Sequence, residues 1–211
     1  MRKIITVLGA FALALLCVTS TLADAEWMDT MTASGNKYLG FVENGDMNGF
    51  GCYKMTTGRE YYGMFSDGNF NGFGIYVYAD SAEETAYLTL GNFIESKING
   101  RGIIQLMDGM RYDGPYEDGT RLSKVGYTRD EYGFVRNTLL SDGDTYTGEV
   151  LPDTTTPNGF GILIKRDGTI YVGQFAAGYR EGYGLYVNPD KQFSSGIWEN
   201  DELVDPGAAW K

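Results

Sequence analysis

One short pattern recurs along the chain. A tyrosine in most copies, any residue, a glycine, any residue and an aromatic or valine are followed in three copies by Asn-Gly or Asp-Gly and in five by Gly-x-Gly. The first copy is Tyr38-Leu39-Gly40-Phe41-Val42, Asn44-Gly45 and Gly49-Phe50-Gly51. The second is Tyr61-Tyr62-Gly63-Met64-Phe65, Asp67-Gly68 and Gly72-Phe73-Gly74. Thr89-Leu90-Gly91-Asn92-Phe93 with Gly100-Arg101-Gly102 makes a third, and Tyr112-Asp113-Gly114-Pro115-Tyr116 with Asp118-Gly119 a fourth that lacks its Gly-x-Gly. The fifth and sixth start at Tyr146 and Tyr171 and continue to Gly159-Phe160-Gly161 and Gly182-Tyr183-Gly184. A shortened seventh is Ser194-Ser195-Gly196-Ile197-Trp198. The first glycines stand at 40, 63, 91, 114, 148, 173 and 196, so half of the intervals are 23 residues. A period of that length means small units that bury their apolar surface only by stacking on their neighbours.

Each copy reads as a β-hairpin. Tyr61, Gly63 and Phe65 alternate and so share one face of an extended strand. Asn-Gly and Asp-Gly accept the positive φ of a tight reversal. The return strand is β-branched or aromatic, as in Ile75-Tyr76-Val77-Tyr78 and Ile162-Leu163-Ile164. A glycine between two rings leaves a hole in the sheet surface, which a ring from a neighbouring strand can cover. The 30 glycines, about twice the usual ~7%, are thus compatible with a folded chain. Two columns of side chains follow from the register. One holds Val42, Phe65, Phe93, Tyr116, Val150, Phe175 and Trp198; the other holds Phe50, Phe73, Phe160 and Tyr183.

The pattern resembles the MORN (membrane occupation and recognition nexus) repeat over residues 36–203. The resemblance implies an all-β, elongated, single-layer twisted array of about seven consecutive antiparallel hairpins with an aromatic-lined groove. Copy four departs from it, so a break or a degenerate repeat is expected at 115–141, and residues 204–211 are expected to form a C-terminal tail. A single-layer sheet cannot cover both of its faces, which makes Phe50, Phe65, Phe73, Phe93, Tyr116, Phe160, Phe175, Tyr183 and Trp198 the candidate groove residues. Exposed apolar surface of that kind marks binding. The expected function is that of a non-enzymatic scaffold for a protein partner; binding of a cell-envelope glycan or a lipid headgroup is the alternative. Unpaired edge strands at the ends of the array offer a route to a homodimer.

Residues 1–25 read as a secretory signal: Arg2 and Lys3, an apolar run from Ile4 to Val18, then Ala23-Asp24-Ala25. Cleavage between Ala25 and Glu26 takes the net charge from −11 to −12 and predicts a secreted or periplasmic protein. An uncleaved anchor and lipidation at Cys17 are the competing readings. After cleavage Cys52 stands alone, so no intramolecular disulfide forms, and a buried, inert thiol is expected. The negative charge excludes a general nucleic-acid binder and disfavours anionic membranes. Arg121, Lys124, Arg129 and Arg136 are a basic cluster diluted by Asp130 and Glu131, read as a solvated loop.

Histidine is absent, which removes His-dependent triads and His-ligated metals. Asp67, Asp118, Asp142 and Asp167 fall at turns, where the carboxylate serves the backbone. Neither a phosphate loop nor a complete calcium loop is present, so no catalytic residue, metal or cofactor is expected.

Overall fold

In a computed structural model, residues 25–79, 86–107, 110–122 and 133–208 are described. Cys17, Lys124, Arg129 and all of the signal except Ala25 lie outside them. The described chain contains no helix; every element is a strand.

The first sheet has nine strands in strict chain order. A leading strand β1 (Glu26–Met31) is followed by hairpins β2–β3 (Lys37–Glu43, Asp46–Lys54), β4–β5 (Glu60–Ser66, Asn69–Val77) and β6–β7 (Ala86–Ile94, Lys97–Leu106). It closes with β8–β9 (Arg111–Glu117, Thr120–Arg121). The second sheet has seven: β10 (Gly133–Leu139), then β11–β12 (Thr145–Val150, Pro157–Ile164), β13–β14 (Ile170–Ala176, Tyr179–Val187) and β15–β16 (Phe193–Glu199, Glu202–Pro206). All neighbours are antiparallel. Strand β16 carries the second sheet past residue 203, into the segment expected to be a tail.

The hairpin turns follow from the residues in them. Asn44-Gly45, Asp67-Gly68 and Asp118-Gly119 have positive φ at both central positions, the backbone of the type I′ reversal that matches strand twist. In copy three Glu95 and Ser96 adopt the same conformation without glycine.

Each repeat is locked by a tyrosine laid across a glycine pair. Gly63 faces Gly74 across β4 and β5, and a Cβ on Gly63 would come within 2.5 Å of the Gly74 Cα. A Cβ on Gly74 would run into the Tyr61 ring, which lies over the pair. The Tyr61 hydroxyl then donates to the Met64 carbonyl at 3.0 Å. Tyr38, Tyr146 and Tyr171 repeat this, donating to the carbonyls of Phe41, Glu149 and Gln174. In copy three Thr89 replaces the tyrosine and Ile98 fills the hole over Gly102. The first glycine of Gly-x-Gly has a different task. Gly72 and Gly159 sit at φ of +99° and +98°, inside a register shift in which the return strand takes four residues against two of its partner.

The array is not one uninterrupted layer. It divides into two sheets, and their inner faces pack on each other in a single core. Phe50, Cys52, Tyr62, Phe73, Ile75, Leu88, Leu90 and Ile103 from the first sheet meet Phe160, Ile162, Val172, Tyr183 and Leu185 from the second. Ring pairs cross the interface: Phe73 on Tyr183 with centroids 4.9 Å apart, Phe50 on Phe193 at 6.0 Å and Tyr87 on Phe134 at 4.6 Å. The physical reason is the one that made a groove plausible. A sheet with an apolar inner face must cover it, and here the other half of the same chain is the cover.

Candidate functional site

The two columns read from the sequence lie on opposite faces of their sheets. Phe50, Phe73, Phe160 and Tyr183 point inward and form the inter-sheet core. Phe65, Phe93 and Tyr116 lie on the outer face of the first sheet, and Phe175 and Trp198 on that of the second, each among the tyrosines that cover the glycine pairs. All nine are buried. They act as packing rings, not as the lining of an open groove, because the inner column is covered by the facing sheet and the outer column by its own neighbours. Of the nine, Phe93 also reaches the wall of an outer-face cleft, and Phe160 and Tyr183 line a gap of about 400 Å³ at the mouth of the inter-sheet core.

The cleft lies on the outer face of the first sheet and encloses about 620 Å³. Its rings are Tyr53, Phe70, Tyr76 and Tyr78, all half-buried. Strand register places them: Tyr53 is opposite Tyr61, Tyr61 is opposite Tyr76, and Phe65 is opposite Phe70. Phe70 stacks on Tyr61 with centroids 3.8 Å apart, stands 6.3 Å from Tyr53 and 6.1 Å from Tyr76. Met55, Ile98 and Ile104 complete the apolar surface; Arg59, Lys97, Asn36, Thr89 and Ser96 supply the polar lining, and no carboxylate is among the lining residues.

Polar contacts hold the rings in place. Asn36 Nδ2 donates to the Tyr53 hydroxyl at 2.6 Å, the Tyr78 hydroxyl and Thr89 Oγ1 are 3.1 Å apart, and the Phe70 amide donates to Ser96 Oγ at 3.1 Å. The cleft is therefore shaped before anything binds. The sequence does not single out these four rings as site residues. Tyr76 and Tyr78 read there as return-strand apolars, and which face of a return strand stays open depends on the packing of the two sheets.

The second sheet treats the equivalent position differently. Arg180 occupies, opposite Phe175, the place that Phe70 occupies opposite Phe65. Its guanidinium lies over Trp198 at 4.3 Å and over Tyr186 and Tyr171, and Nε pairs with Asp201 at 3.0 Å. A cation–π stack closes what would otherwise be a second aromatic notch.

One charged pair joins the sheets. Arg111 Nη1 on β8 lies 2.6 Å from Glu149 Oε1 on β11, and Glu149 is 1% exposed. Its other oxygen accepts from the Phe160 amide at 2.6 Å, where the register shift interrupts the ladder. Gln174 does the same for Tyr183 one repeat later, at 2.8 Å. The Arg136 guanidinium donates to the Tyr78 carbonyl, a second link between the sheets.

The reactive groups have structural duties. Burial pushes the Cys52 thiol up to about 12, so it holds its proton in the core. Asp167 accepts from the Thr169 amide at 2.8 Å, and that bond holds its carboxyl below the usual range, as expected of a turn residue. Among the described residues no three Cys, Asp or Glu side chains gather as a metal site would require.

The MORN repeat family model matches residues 38–58, 61–82 and 171–192. Alsin from Homo sapiens is 30% identical over 115 residues, 51% of this chain and 7% of that protein. Alsin from Mus musculus is 34% identical over 82 residues, 36% of this chain and 5% of that one. The chain thus spans less than a tenth of the length of the curated relatives it matches. Two solved structures align weakly. The SAS-4 (dCPAP) TCP domain of Drosophila melanogaster, in complex with a proline rich motif of Ana2 (dSTIL), is 13% identical with a TM-score of 0.24, covering 94% of this chain and 99% of that one. The TCP10 domain of Danio rerio CPAP is 16% identical with a TM-score of 0.27, covering 81% and 83%. The repeat matches and the glycine-paired hairpins agree: the chain carries MORN repeats.

Proposed function

We propose that this protein is a non-enzymatic binding module that docks an extended segment of a protein partner in the outer-face cleft of its first sheet. MORN repeats are in general modules that bind proteins or membrane lipids. The observation that supports the protein reading is the row Tyr53, Phe70, Tyr76 and Tyr78, half-buried and held by hydrogen bonds beside an open volume of about 620 Å³. Rigid rings offer contact area at little entropic cost, and a volume of this size lies within the ~300–1,000 Å³ typical of ligand clefts. The negative charge of the chain weighs against an anionic bilayer as the main ligand.

The test is selection of peptides from a displayed library on the full chain. Phe70→Arg is the informative variant, because copy six carries arginine at that position and folds around it. Enriched peptides should lose at least tenfold in affinity with Phe70→Arg and with Tyr76→Ser, with the far-UV spectrum unchanged. Equal binding by the variants, or retention on peptidoglycan or anionic vesicles with no peptide enriched, would overturn the protein reading.

The leader and the small-x-small site at Ala23 to Ala25 support export to the periplasm or the exterior. A mature N-terminus other than Glu26 in the purified protein would argue against it. We further propose that two chains pair through a terminal edge strand.

A further inference from the structure

We infer that the pairing edge is β1, and that two copies join antiparallel with Met28 opposite Met28. This rests on the reading that the edges pair two chains, and it names which edge and in what register.

Two sheets in tandem have four edges, and three of them carry features that discourage addition of a strand. The far edge of the first sheet ends in β9, only two residues long, beside β8, whose line of donors is interrupted by Pro115. Strand β10 shifts register between Val135 and Thr138, with Asn137 at φ +47°, and its Arg136 is turned to the Tyr78 carbonyl of the other sheet. Strand β16 shifts register where it pairs with β15, carries Glu202 and Asp205, and stops at Pro206.

Of these devices strand β1 carries only the two carboxylates Glu26 and Asp29. Its six residues pair with β2 without a shift, and it contains neither proline nor a basic residue. Met28 is 37% exposed and Met31 62%. A straight, regular edge with exposed methionines is a template for another strand, and the one strand certain to be present at matching concentration is a second β1.

Symmetry narrows the register. A two-fold axis normal to the sheet keeps each residue on its own face, so only residues of like parity can face each other. Centring on Asp29 would set two carboxylates directly opposite, which is destabilising. Centring on Met28 sets Met28 on Met28, Trp27 on Asp29 and Glu26 on Thr30. The two Asp29 carboxylates are then only diagonal neighbours, roughly 7–8 Å apart, where salt screens them. The first sheets of two copies become one continuous sheet of eighteen strands, twice the nine in each.

The experiment is oxidative cross-linking, in the full chain, of variants with one added cysteine, with Cys17→Ser removing one native thiol and Cys52 left buried in the core. Met28→Cys should give a covalent dimer at several times the yield of Thr30→Cys, whose own partner is Glu26. Sedimentation run in parallel should give a dimer that Met28→Lys weakens tenfold or more and Asp29→Asn tightens. A dimer by sedimentation in which Met28→Cys cross-links no better than Thr30→Cys would overturn β1 and its register while leaving edge pairing intact. A monomer at every concentration would overturn both.

Discussion

A tyrosine laid over two facing glycines is the smallest unit that explains this protein. The hole is shallow, so nothing larger than hydrogen fits under the ring: Gly74→Ala should cost about 1–3 kcal/mol by overpacking, read as a fall in the denaturant midpoint. Tyr61→Phe keeps the ring and loses only its bond to the Met64 carbonyl, so about 1 kcal/mol is expected. The same rings set an alkaline limit. Burial raises Tyr61, Tyr62 and Tyr146 well above the ordinary phenol value, and Tyr38 and Tyr171 are raised too, again chiefly by burial. A folded-state value above the unfolded one means the stabilisation is complete below the unfolded value, about 10, and drains away as pH rises above it. Tyrosinate absorbance and loss of far-UV signal should therefore appear together above that pH, and phenols ionising in a chain that stays folded would contradict the burial. These residues were legible in the sequence because the spacing of Tyr, Gly and Gly is itself the packing code. Glu149 and Gln174 were not. They answer an amide left over by a register shift, and a shift leaves no mark at the position that repairs it.

At the level of the hairpin, turn chemistry sets where the strands reverse. Asn-Gly and Asp-Gly mark the reversals of copies one, two and four, and the same backbone persists at Ala177-Gly178, where alanine sits at φ +48°. Alanine in that region is strained by roughly 1–2 kcal/mol relative to residues that favour it, so Ala177→Asn should raise the melting temperature without altering binding. The loss of Gly-x-Gly in copy four also has a visible result, since among the described residues its return strand is only Thr120–Arg121. Strands β1 and β10 were invisible to the repeat pattern. Each borrows its register from the following hairpin, Trp27 opposite Phe41 and Phe134 opposite Glu149, and needs no motif of its own. The open cleft was likewise out of reach, because the choice between Tyr62 buried and Tyr76 half-buried is made by the facing sheet and not by either strand.

The whole molecule is two arrays closed on each other, and its charged clasp is testable. Glu149→Gln removes the anion facing the Arg111 guanidinium in a largely buried place, a change that typically costs about 3–5 kcal/mol. Pairing Glu149→Gln with Arg111→Met should cost less than the two changes separately, and a calorimetric cycle would give the coupling. Strict additivity would mean the contact contributes nothing to closure. Sequence periodicity marked each face as apolar but could not say what covers it: water, a partner or the other half of the chain. Cut at the link near residue 122, neither fragment inherits a finished surface; each would expose a wall of phenylalanine, isoleucine and leucine and precipitate when made alone. Expressed side by side, the two fragments should find each other and return to solution as a nicked but intact pair.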